Sequence, residues 1–194
     1  VHRRDSLKAL SAVTAHALFP SVLARAAETA AGLEASGRAW APVWIRPQRA
    51  AMLEALADTV LPATDTPGAR EARVHVFVDL ALRDCYTPEE QQLFAAGLEA
   101  LAGECQARHG RPFEACSPEE RHALLAPLDA ASYAPDRGPR GSFVRILKDL
   151  TLLGFFTSRA GATQALAYEA VPGGYHGCQE LRPGQKAWAT GIGT

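Results

Sequence analysis

The sequence predicts an all-α protein: a compact bundle of about five helices with a long irregular C-terminal tail. Three observations lead there. Apolar residues recur at helical spacing in several separate stretches. Two of those stretches open with nearly the same start signal, Thr87-Pro88-Glu89-Glu90 and Ser117-Pro118-Glu119-Glu120. No convincing run of alternating apolar and polar residues, the mark of half-buried strands, appears between them.

Each element follows from its own residues. Pro47 suits the first position of a helix, and Met52, Leu53, Leu56 and Val60 form an apolar stripe behind it. Pro62 closes that helix, and Ala63 to Gly68 is a turn-rich loop ending in Pro-Gly. A second helix is expected from about Ala69 to Cys85, with Val74, Phe77, Val78, Ala81 and Leu82 on one face. At the third, Thr87 caps, Pro88 fits the first turn and Glu90 completes a capping box. Phe94, Leu98, Leu101 and Cys105 then share one narrow face. Ser117 repeats the signal ahead of Leu124, Leu125 and Leu128. Ala131 to Gly141 is loop. The helix from Phe143 to Thr157 is the most apolar, on nearly every face toward its end, so it belongs at the centre or against a partner. Ser158 caps a short helix through Leu166, and from Tyr168 onward the pattern is lost.

Ahead of the bundle, Val1-His2-Arg3-Arg4-Asp5-Ser6-Leu7-Lys8 has the layout of a twin-arginine export signal, carried by Arg3, Arg4, Leu7 and Lys8. Ser6 stands where such signals usually carry Phe. A mildly apolar run from Ala9 to Leu23 follows, too short and too broken for a lasting membrane helix. Ala24-Arg25-Ala26 then supplies a small-x-small cleavage pattern. Residues 1–26 are therefore read as the signal, 27–46 as a linker or extended arm rich in Ala, Gly and Pro, and 47–194 as the helical domain with its tail. Removing the signal leaves about 168 residues, one domain with a real core. A net charge of -1 gives no reason to expect nucleic acid or an anionic membrane as partner. Localisation is expected to be periplasmic.

In an oxidising compartment Cys85, Cys105, Cys116 and Cys178 are disulfide candidates. Cys105 and Cys116 flank the short loop His109-Gly110-Arg111-Pro112 and could close it. Cys105 also lies on an apolar stripe, where a buried free thiol fits equally. Cys178 could pair with Cys85 or with another chain. A protein exported folded often carries a cofactor, yet no Cys-x-x-Cys-His occurs, the cysteines lie at least eleven residues apart, and no Gly-rich strand-to-helix turn is present. His176 and Cys178 could form half of a metal site, but no other His or Cys lies nearby in sequence. His75, His109 and His122 are placed on helix surfaces or in loops, in contact with water. Glu89-Glu90 and Glu119-Glu120 are explained as helix-start residues, and Ser142 and Ser158 lack a His–Asp partner. The residues assign no catalytic, cofactor-binding or metal-binding group to this chain.

Three blocks carry a resemblance. They are Ala57 to Ala69, with Asp58-Thr59-Val60-Leu61-Pro62 at its heart; Leu147 to Ser158 followed by Gly161-Ala162-Thr163-Gln164; and Val171-Pro172-Gly173-Gly174-Tyr175-His176-Gly177-Cys178. In that order, and over roughly residues 48 to 190, they resemble the small subunit (subunit 3) of bacterial gluconate 2-dehydrogenase-type enzymes. Cys105 and Cys116 do not belong to that pattern. The resemblance implies a noncatalytic small subunit beside a large flavoprotein of the glucose–methanol–choline type, which holds FAD and oxidises a sugar, sugar acid or glycoside. It further implies a cytochrome c subunit with haem c, export through the twin-arginine translocase with the folded flavoprotein as cargo, and membrane association through the complex. Leu152, Phe155 and Phe156, with Tyr168 and Tyr175 in a wrapping tail, are then the expected partner contacts. Two other readings stand beside this one: a standalone periplasmic assembly or binding module, and a metal-dependent enzyme built around His176.

Overall fold

A computed structural model describes residues 24–32, 40–133, 140–168, 180 and 183–188. Within them the chain is helical, and the single β feature is an isolated parallel bridge between Ala167 and Trp188. Helix α1 covers residues 24–32; α2 is Ala50–Val60, α3 Val74–Cys85, α4 Pro88–His109, α5 Pro118–Ser132 and α6 Phe143–Thr157. A 3-10 turn at Pro47–Arg49 leads into α2, a second at Phe113–Ala115 joins α4 to α5, and a π-helical turn at Gly161–Ala165 follows α6.

The two helix starts read from the sequence are capping boxes. The Thr87 hydroxyl accepts from the Glu90 N–H at 3.3 Å, and the Glu90 carboxylate accepts from the Thr87 N–H at 2.9 Å. Ser117 and Glu120 repeat this at 3.3 and 2.8 Å. Each pair satisfies two N–H groups that a helix start leaves open. Helix α4 ends at Gly110, whose φ of 67° closes it in the left-handed conformation.

Helix α3 starts five residues later than the sequence predicts. Residues 69–73 form their own turn, with the Val74 N–H bonded to Ala69 O at 2.9 Å. Arg73 ends that turn at φ 50°, and a left-handed residue cannot continue a right-handed helix. The stretch read as an extended arm also differs. Its first part lies in α1, since Ala is the strongest helix former. Residues 40–46 form neither helix nor strand, bend at 43–45, and are docked on α3 through Asp79 rather than free.

Helix α6 is the hub, touching α2, α3, α4 and α5. Phe143, Val144, Ile146, Leu147, Leu150 and Phe155 are all buried there. Close approach needs small residues at two crossings. A Cβ on Gly97 of α4 would collide with Phe143, and one on Gly154 of α6 would lie 2.6 Å from the Phe77 ring. Edge-to-face contacts of Phe94 with Phe143 (4.9 Å) and with Trp44 (6.1 Å) join α6, α4 and the docked strap.

Candidate functional site

The outer face of α6 changes character along its length. Its first half is charged and paired: Arg145 reaches Asp149 at 3.4 Å, and Lys148 reaches Asp129 of α5 at 2.9 Å. Its second half presents Leu152, Leu153 and Phe156, exposed by 39, 38 and 42%. Leu152 and Phe156 are one turn apart and so stand on one ridge. The Phe156 ring is held edge-on against Phe155 at 5.2 Å. Three large apolar side chains on one helix end are a patch, and a patch of this kind commonly marks a contact surface.

Phe155 itself is a correction to the sequence reading. It is 2% exposed and belongs to the core, because its position on α6 points inward while Phe156 points out. Tyr168 is exposed at the start of the tail, near the bridge from Ala167 to Trp188. Tyr175, His176 and Cys178 lie outside the described residues, as do Arg3, Arg4, Leu7 and Lys8 of the export signal.

A second constellation ties the strap to α3. Asp79 is fully buried, and its carboxylate accepts three backbone N–H groups: Val43 at 2.8 Å on one oxygen, Trp44 at 3.0 Å and Ile45 at 2.7 Å on the other. One turn earlier, His75 meets the Trp40 ring edge-on at 4.9 Å. His75 is buried, contrary to its expected place in water, because α3 is covered on that side by the strap. Its Nδ1 and the Trp40 Nε1 have no hydrogen-bond partner among the described residues. Burial pulls the His75 pKa down to about 4, Arg73 and Arg70 push it the same way, and Asp79 opposes them. Sequence reasoning missed Asp79 and placed His75 in water. The available signal was Asp79 itself, a lone acid inside the otherwise apolar run Val76-Phe77-Val78-Asp79-Leu80-Ala81-Leu82.

The third grouping is sulfur. Cys105 near the end of α4 and Cys116 after the second 3-10 turn are both buried, with their sulfurs 3.2 Å apart. Cys85, at the end of α3, is half-buried, and Cys85, Cys105 and Cys116 all stand as free thiols here. Of the remaining predicted histidines, His109 lies 3.4 Å from the Glu120 carboxylate. Glu89 and Glu90 sit at the start of α4, and Glu119 and Glu120 at that of α5, as capping requires.

Among the described residues, no group of three or more His, Cys, Asp and Glu side chains could hold a metal ion. No described helix is long and apolar enough to cross a membrane. What the fold and surface define is a helical bundle organised on one apolar helix, with an uncovered apolar end and a tethered N-terminal strap. The chain belongs to the family described as gluconate 2-dehydrogenase subunit 3, which it matches over residues 47–173. The matched stretch takes in the whole of α2 to α6, both faces of the hub included. No curated protein and no solved structure matches the chain.

Proposed function

We propose that this chain is the noncatalytic small subunit of a periplasmic FAD-dependent dehydrogenase complex of the glucose–methanol–choline type. The complex oxidises a sugar, sugar acid or glycoside and passes electrons to a cytochrome c subunit carrying haem c. This chain stabilises the flavoprotein and carries it through twin-arginine export. Membership of the subunit 3 family supports the subunit role. The observation that carries the reading to a surface is the apolar ridge of Leu152, Leu153 and Phe156, which the bundle leaves uncovered.

Chemistry in this reading belongs to the partner. The small subunit contributes apolar contact area, and the partner's flavin carries the hydride and electron transfer. The ridge side chains are exposed, so their loss costs binding more than folding, Phe156 giving up one ring contact with Phe155. Leu152→Ser combined with Phe156→Ser is expected to lower co-purification of the flavoprotein at least tenfold, while the small subunit stays folded with a melting temperature lower by roughly 5 °C or less. Unchanged co-purification would remove the ridge from the interface.

Export is tested on the arginines. Replacing Arg3 and Arg4 with Lys is expected to strand the partner's FAD-dependent activity in the cytoplasm. Activity that still reaches the periplasm would sink the carrier role. A small subunit that is exported but absent from the purified mature enzyme would favour the assembly-module reading instead.

A further inference from the structure

We infer that Cys105 and Cys116 form an intrachain disulfide that staples the end of α4 to the start of α5. The inference does not rest on the proposed complex, since it follows from the geometry of this chain alone.

Local structure fixes both sulfurs. Cys105 lies within the last turns of α4, which Gly110 closes. Cys116 ends the 3-10 turn, its N–H bonded to Phe113 O at 3.1 Å, and is followed at once by the Ser117 cap of α5. Phe113, buried between them, anchors the turn. Arg121 clamps the same turn from α5, donating to Phe113 O at 3.2 Å and Glu114 O at 2.6 Å. The two sulfurs face each other at 3.2 Å across this rigid corner. A disulfide needs them about 1 Å closer, a shift within reach of side-chain rotation.

Two other uses of paired thiols fit less well. As metal ligands they lack completing groups, since no third His, Cys, Asp or Glu joins them among the described residues. As reactive thiols they are badly placed, because both are buried and burial raises the Cys105 pKa. The Cys105 thiolate is scarce, so oxidation of the folded chain is slow.

The oxidant is a low-molecular-weight or protein disulfide. The Cys116 thiolate, the slightly more open of the two, attacks it and expels one thiolate, leaving a mixed disulfide. The Cys105 thiolate then attacks the Cys116 sulfur and expels the second. Two S–H bonds and the oxidant's S–S bond are lost, one protein S–S bond forms, and the two protons end on the two released thiols.

The test uses the purified full-length chain incubated with excess oxidised glutathione, denatured, alkylated with N-ethylmaleimide and digested without reductant. The peptide carrying Cys105 should be recovered joined to that carrying Cys116. Recovery of both as alkylated or glutathione-capped peptides, or of Cys105 joined to Cys85 or Cys178, overturns the pairing. The oxidised chain should also melt roughly 5–10 °C above the dithiothreitol-treated chain. That difference should vanish in Cys105→Ala/Cys116→Ala. A melting temperature indifferent to reductant overturns the staple, and the peptide map on the unaltered chain decides the pairing even where the double variant fails to fold.

Discussion

Asp79 holds a bend of the chain, residues 43–45, with one side chain. Its two oxygens take three successive backbone N–H groups that no helix or sheet would otherwise satisfy. Removing the carboxylate leaves those donors unpartnered, so Asp79→Ala is expected to cost about 2–5 kcal/mol. Hydrogen exchange should report it as lost protection at Val43, Trp44 and Ile45. Asp79→Asn should behave differently. Its one carbonyl oxygen can still serve Trp44 and Ile45, while the Val43 amide loses its acceptor and exchanges fast. Equal loss at all three amides in the Asn variant would contradict the split between the two oxygens. His75, one turn away, adds a pH dependence. Its folded pKa of about 4 lies below the ordinary 6.5, so between those values the unfolded chain binds a proton that the folded chain refuses. Stability contributed there is complete above pH 6.5, falls as pH drops toward 4, and is flat below. The whole effect is at most about 3 kcal/mol. Arg73, Arg70 and Asp79 are the charges around it. Denaturant midpoints between pH 7 and 5 should fall in the unaltered chain and fall less in His75→Phe. Asp84, Glu99 and Glu120 have lowered pKa values and give up their contributions at more acid pH.

At the scale of elements, caps and crossings divide the work. Thr87→Ala and Ser117→Ala each remove one capping box, with an expected loss of about 1 kcal/mol apiece, additive in the double variant because the two lie on different helices. Gly97→Ala acts on a crossing. Its methyl meets Phe143 with no room to yield, and a cost of about 1–3 kcal/mol is expected in thermal or denaturant unfolding. Caps were legible in the sequence, because a box is written in four adjacent residues. The bounds of α6, Phe143 to Thr157, were legible from its apolar run, for Ser142 before it makes no side-chain cap. The start of α3 was not: Arg73 adopts its left-handed φ through the turn packed against the 61–63 loop, which no local signal announces. Burial of His75 was hidden likewise, since it depends on a strap contributed from more than thirty residues upstream. Phe155 and Phe156 show the finest division. Both read as apolar on one helix, and only the packing against α3 and the π-helical turn decides which one faces in.

For the whole molecule, the arrangement around α6 matters most. The helix that touches α2, α3, α4 and α5 is also the one whose far end carries the exposed Leu152, Leu153 and Phe156. Core and candidate contact surface are therefore two sides of one rod. A partner seated on the ridge binds only the folded bundle, and it adds RT ln(1 + [L]/Kd) to the folding equilibrium, about 2.7 kcal/mol at a hundredfold excess over Kd. Thermal melts of the co-expressed pair should lie above those of the small subunit alone, and the Leu152→Ser/Phe156→Ser variant should show no such rise. Under the proposed function the ridge would also set stoichiometry: a copy without a partner keeps an apolar end in water and lacks the partner's contribution to its unfolding free energy, so it would be the copy open to proteolysis first.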